Sequence, residues 1–348
     1  MVHVIHLTPA EPDFQTQRCL DYLMNDLGDG FSSTQLSLGS GGDFHHSFSA
    51  ALQLRRIEFP QDPIVHAWGN SAFGAAALAG ACRIIFSPLA DAPGRPDGWM
   101  RMILRYPPIQ VVFPTEAMRR EFLWQGWQAN RCQVIPPVLN LDRFPAPHDG
   151  SLRQRLGFND GDFVALVPGE SARNAADRIA AWAISILHVI DPRFRLLAWG
   201  RGPTADGLVR FGRRLHQENL VTLAERRLGG PIEFEALTAA ADAVLVPAEG
   251  FTPSLPLCAC MAAGLPIVAN AGPDVAELLD DDVNALIVPK ATPKTLAQAV
   301  WRIKEDPALA RRLGDSARDK ARKINSLQRF LEQWRDLYHR PAIPANVR

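Results

Sequence analysis

Charge of one sign is missing from this chain. Its 37 basic and 37 acidic residues cancel, so the balance shows no electrostatic footprint of a nucleic-acid partner. Cysteine is scarce. The five, Cys19, Cys82, Cys132, Cys258 and Cys260, are odd in number and scattered, with no Cys-x-x-Cys pair. That pattern argues against a disulfide framework and a zinc site, and a reducing cytoplasm is the expected setting. No apolar run approaches the ~20 residues of a membrane span. The N-terminus, MVHVIHLTPAEPD, lacks the basic and apolar regions of a signal peptide. No Gly-x-Gly-x-x-Gly follows the first strand-like segment, which argues against a Rossmann oxidoreductase.

What is present fits two soluble domains of ordinary size: 348 residues, 47% hydrophobic and 21% charged. Val2–Leu7, Thr34–Leu38, Ile64–Ala67, Arg83–Ser87, Ile109–Pro114 and Gln133–Ile135 read as strands. Helical segments are expected at Thr16–Leu27, Phe48–Arg56, through the alanine-rich stretch to Ala81, and at Ala117–Gly126. A proline-rich span, Ile135–Gly150, reads as a linker. The alternation then restarts, with strands at Phe163–Val167, Arg195–Trp199, Ala243–Val246, Pro266–Val268 and 284–288. Helices are expected at Ala175–Ile190, Leu208–Glu218 and 274–280, with two or three more across 293–339. Such alternation predicts doubly wound parallel sheets, an α/β fold with Rossmann-like domains at 1–145 and 151–325 and a C-terminal helical segment at 326–348.

One stretch organises the second half: VLVPAEGFTPSLPLCACMAAGLPIVAN, Val244–Asn270. A buried strand breaks at Pro247 into a loop carrying the carboxylate of Glu249 beside Gly250. Thr252-Pro253-Ser254 then opens a helix, with a hydroxyl N-cap and proline at the first position. A helix N-terminus aimed at such a loop suits an anionic ligand. Cys258 and Cys260 sit on this helix as small apolar residues.

Glu249-Gly250-Phe251 and Ala259-Cys260-Met261-Ala262-Ala263-Gly264-Leu265-Pro266-Ile267 resemble the two ends of the donor-binding motif of the family-4 retaining glycosyltransferases. Asp62–Ala67, Val134–Phe144, Val164–Gly169 and Leu196–Gly202 resemble further segments of that family in the same order, from about residue 60 to the end. The resemblance implies a GT-B fold, with two Rossmann-like doubly wound domains facing a cleft. The first domain would be the acceptor side and the second the donor side, and the last helix would cross back to the first. It also implies transfer of a sugar from a nucleotide-diphosphate donor with retention of configuration and without a metal. No cofactor is expected beyond the nucleotide-sugar co-substrate. The acceptor would be a carbohydrate, a lipid-linked sugar or another small molecule.

By that resemblance Glu249 would bind sugar hydroxyls. The phosphates would be received by Gly250, Phe251, Thr252, Ser254, Gly169 and Gly200, with Arg173 or Arg201 supplying a cation. His66, near the carboxyl end of a first-domain strand, is the remaining first-domain candidate for contact with donor or acceptor. The departures are as telling. The family's Arg and Lys after Gly169 are Glu170 and Ala175 here, the second glutamate of the donor motif is Ala259, and its first-domain histidine gives way to Pro88-Leu89. A carboxylate ~4 Å from a phosphate charge costs on the order of 4 kcal/mol at an effective dielectric near 20. A relative that keeps the fold but binds a sugar, nucleotide or protein without turnover is therefore the alternative. The aromatic-basic stretches Trp99–Tyr106 and Met118–Trp127 suit a membrane surface or a core equally, and no membrane contact is inferred from them.

Overall fold

In the computed structural model, residues 1–38, 51, 63–89, 109–141, 144, 150–171, 176–247 and 254–341 are described. The described elements run β1 (Val2–Thr8), α1 (Phe14–Asn25), β2 (Phe31–Ser37), β3 (Ile64–Trp68), α2 (Asn70–Ala79), β4 (Ile84–Ser87), β5 (Ile109–Phe113), α3 (Glu116–Trp124) and β6 (Cys132–Val134). They continue with α4 (Gly150–Leu156), β7 (Phe163–Leu166), α5 (Asp177–Ile190), β8 (Phe194–Ala198), α6 (Ala205–Arg214), β9 (Val221–Leu223), α7 (Ala224–Leu228), α8 (Phe234–Leu237) and β10 (Ala243–Val246). Last come α9 (Ser254–Ala263), β11 (Ile267–Asn270), α10 (Val275–Leu278), β12 (Leu286–Val288), α11 (Pro293–Glu305), α12 (Pro307–Ile324) and α13 (Leu327–His339). The chain divides into two compact units, Met1–Val138 with Leu327–Arg348, and Leu139–Ser326.

Each unit holds one six-stranded parallel sheet, ordered β2-β1-β3-β4-β5-β6 in the first and β12-β11-β10-β7-β8-β9 in the second. The central strands are buried at every position, as in Ala243–Val246, wholly apolar, and Ile64–Trp68, apolar but for His66. Strands covered by helices on both faces carry that pattern. In the first unit α1 and α13 pack on one face of the sheet, where Leu20, Leu23, Phe330, Trp334 and Leu337 join Val4, Ile64 and Ile85. In the second, α5, α6 and α11 cover a face built from Ala165, Leu196, Leu245 and Val268.

Local chemistry sets the element ends. Helix α1 starts at Phe14, earlier than periodicity suggests, because the Asp13 carboxylate accepts from the Thr16 N–H at 2.7 Å. Helix α6 spans Ala205–Arg214 instead of 208–218, and the chain leaves it through His216, whose φ of 56° is left-handed. The 293–339 span is three helices: Thr292 with Pro293, and Asp306 with Pro307, cap two of the starts. Strand β9 and helices α4, α7 and α8 are short and went unread in the sequence. The helix expected at Phe48–Arg56 lies outside the described residues apart from Ala51. All five cysteines are free thiols. Among the described residues no helix is long and apolar enough to cross a membrane.

Candidate functional site in the second unit

The second sheet reverses its strand order between β7 and β10: β8 and β9 are laid down on one side, β11 and β12 on the other. At such a switch point the loops leaving the carboxyl ends diverge and open a crevice, the usual ligand position in open α/β sheets. The loop after β7 carries Gly169 at a φ of 80°; a Cβ there would lie 3.1 Å from Cγ of Pro256, in the first turn of α9. The loop from β7 therefore runs directly against the start of the helix that follows β10, a path that only glycine follows without strain.

The loop after β8 is sewn to the same place. The Ser171 N–H donates to the Arg201 carbonyl at 2.9 Å, and the Thr204 N–H donates to the Ser171 carbonyl at 3.3 Å. Gly200 and Gly202 have φ of 104° and 95°, and a Cβ on Gly202 would overlap the Ser171 carbonyl oxygen. Helices α5, α6 and α9, which follow β7, β8 and β10, all begin at this end of the sheet, so three partial positive charges gather there. Asp177, at the start of α5, is buried. Burial pushes its carboxyl up to about 6, opposed by a hydrogen bond with the buried Ser171.

Of the residues marked out by the sequence, Gly169, Gly200, Arg201 and Ser254 are brought to this end of the sheet. Ser254 opens α9 and is buried, and Ala259 in the same helix is fully buried. Arg173, Glu249, Gly250, Phe251 and Thr252 lie outside the described residues. Arg201 is half-exposed and engaged: its Nε donates to Glu225 Oε1 at 2.8 Å, Nη2 sits 2.7 Å from the same carboxylate, and the guanidinium lies 4.2 Å from the Trp199 ring centroid. Trp199 is itself fixed by Nε1–H donating to the Ile232 carbonyl at 2.8 Å. Glu225 holds the Nε and Nη2 atoms of Arg201, and a surface ion pair of this kind is worth at most about 1 kcal/mol. Burial holds Cys258 up at about 12 and Cys260 higher still, so neither thiol is a nucleophile.

His66 belongs to the first unit and is fully buried. Its Nδ1 shares a hydrogen bond of 2.8 Å with the Tyr338 hydroxyl, and its Nε2 one of 2.9 Å with Ser87. The ring stacks on Trp68 at 4.2 Å. Beside it, His6 Nδ1 accepts from Trp68 Nε1–H at 3.4 Å. Burial pushes His6 down to about 3; burial first, and then His6, lower His66 as well, so both rings are neutral. A catalytic contact by His66 requires one of its two bonds to open.

Sequence reasoning missed the Asp177–Ser171 pair, the Glu225 partner of Arg201 and the His6–Trp68–Tyr338 surroundings of His66. The available signals were weak: a lone serine after Gly-Glu, one acid after a three-residue strand, and two histidines within the apolar HVIHL.

Residues 165–306, which contain every loop of this site, match the family model described as Glycosyl transferases group 1. The D-inositol 3-phosphate glycosyltransferase of Kineococcus radiotolerans is 30% identical over 235 residues, 61% of this chain and 53% of that protein. That of Streptomyces bingchenggensis is 28% identical over 205 residues, 55% and 44% of the two chains. The chain thus spans about half the length of the curated relatives it matches. Among solved structures, Anabaena HepE in complex with UDP and glucose superposes with a TM-score of 0.77 at 17% identity, covering 97% of this chain and 99% of that one. Sucrose-phosphate synthase from Thermosynechococcus elongatus gives 0.71 at 17% identity, covering 97% and 98%. These likenesses concern the fold, two Rossmann-like parallel-sheet domains of the GT-B class.

Proposed function

We propose that the chain is a glycosyltransferase that takes a sugar from a nucleotide-diphosphate donor, with the donor held in the second unit. The observation that carries this reading is the switch point between β7 and β10, where Gly169 runs against the first turn of α9 inside the segment matched by the family model. The names of the curated relatives, and the UDP and glucose held by HepE, support it. The backbone amides at the start of α9, with Thr252 and Ser254, would receive the diphosphate. Glu249 would hold sugar hydroxyls, while the backbone at Gly169 and Gly200 permits close approach. Arg173, or Arg201 released from Glu225, would answer the charge that grows as the anomeric carbon–phosphate oxygen bond breaks. An acceptor oxygen then bonds to that carbon and gives up its proton to the departing phosphate oxygen. In this reading transfer retains configuration and uses no metal, and the acceptor is a carbohydrate, lipid-linked sugar or other small molecule.

The test is donor hydrolysis by the purified protein with UDP-, GDP- and ADP-glucose, in the wild type and in Glu249→Gln. One donor should be hydrolysed slowly, and the substitution should reduce the rate about 100-fold or more. Binding of the donor with no hydrolysis, in the presence or absence of candidate acceptors, would leave a binding module and overturn the transferase.

A further inference from the structure

Ten large hydrophobic side chains are exposed among the described residues, and five of them stand on α5 and at the end of the adjacent α6 in the second unit. On α5, Trp182, Ile186, Val189 and Ile190 are 54%, 36%, 75% and 64% exposed, and Leu215, just past α6, is 40% exposed. The α5 residues follow helical spacing from Arg178, so the outward stripe of this helix reads Arg, Trp, Ile, Val, Ile. Trp182 meets Phe211 of α6 with ring centroids 6.5 Å apart, which joins the two helices into one surface.

That surface is rimmed by cation. Arg178, Arg210, Arg213 and Arg214 are exposed, and among the described residues none forms an ion pair. The acids on the same helices do not offset them: Asp177 is buried and Asp206 is paired with Arg226. Glu218 lies three residues past Leu215. A two-fold contact with a second copy would set these guanidinium groups against one another, so the charge favours an anionic partner. The four apolar residues of α5 share one outward stripe with no exposed polar residue among them. That is the layout of an interfacial helix, with apolar side chains entering the headgroup–acyl boundary and arginines on the phosphates.

We propose that the α5–α6 face docks the second unit onto an anionic lipid bilayer. The test is sedimentation of the whole chain with vesicles of equal parts phosphatidylglycerol and phosphatidylcholine, against vesicles of phosphatidylcholine alone. Binding is expected to the anionic vesicles and to weaken with salt. Each arginine near the surface contributes about fivefold to partitioning, so Arg213→Ala with Arg214→Ala should weaken binding about 25-fold. Val189→Asp should abolish it, with circular dichroism unchanged because Val189 is exposed. Four results would overturn the assignment: no preference for anionic vesicles, binding unaffected by these substitutions, a dimer in light scattering that the substitutions dissolve, or retention by an acidic protein with no vesicle binding. None of these readouts depends on sugar transfer.

Discussion

In the first unit one face of the sheet is closed by side chains. His6, His66, Trp68 and Ser87 meet Trp334 and Tyr338 of α13, all of them buried, with both His66 nitrogens in hydrogen bonds. In the second unit the carboxyl ends of β7 and β8 are closed by backbone: Gly169, Gly200 and Gly202 at left-handed φ, with Ser171 bonded across to Arg201 and Thr204. The same α/β architecture therefore carries two different surfaces. In the layer of rings both His66 nitrogens are already taken by protein hydroxyls, so that ring offers a ligand little. Loops drawn together at glycines, beside helix N-termini, form the kind of surface to which an anion is attracted.

The two regions should also respond to acid with opposite sign. His6 and His66 are held below the usual histidine range, so the stability they contribute is complete above about pH 6.5 and is lost as pH falls; for His6, held at about 3, the loss is about 1.4 kcal/mol per pH unit down to that value. Asp177 is held above its usual 3.8 at about 6. Its contribution is complete below pH 3.8 and is lost as pH rises through 6, about 3 kcal/mol in all. Hydrogen exchange, corrected for intrinsic rate, should therefore show peptides of β1, β3 and α13 losing protection from pH 6.5 to 4.5. Peptides of α5 should gain it, and Asp177→Asn should remove that gain. Parallel behaviour of both units would break the comparison.

Substitutions sharpen it further. Gly202→Ala forces a Cβ into the Ser171 carbonyl at a left-handed φ, and chemical denaturation should show a loss of about 4 kcal/mol. Tyr338→Phe removes one hydroxyl and leaves His66 Nδ1 buried without its partner, a loss of about 1–2 kcal/mol in the same measurement. The smallest effect should be Ala176→Gly. Ala176 enters α5 at a φ of 54°, and relief of that strain should stabilise the protein by about 0.5 kcal/mol.

Most of the architecture was legible in the sequence because its strands are uninterrupted apolar runs bounded by prolines and glycines, as at Ala243–Val246 and Phe163–Leu166. Strand β9 was not, since Val221–Leu223 is three residues long with a threonine in the middle and is recognised only by its pairing with β8. The glycines of the candidate site could be read from Gly200-Arg201-Gly202 and from the turn at Gly169. What they approach could not. Tyr338 is 272 residues from His66, and Glu225 is 24 from Arg201; periodicity carries no information about such pairs. The sequence therefore marked Arg201 as a candidate phosphate cation and gave no sign of the carboxylate that the fold places beside it.

The most direct test of the central claim is calorimetric titration of the whole chain with UDP, GDP and ADP. Micromolar binding of one of them, weakened at least tenfold by Gly169→Val, which would drive a side chain into Pro256, is the predicted result. Absence of binding by all three, or binding indifferent to that substitution, would contradict a nucleotide site at the β7–β10 switch point.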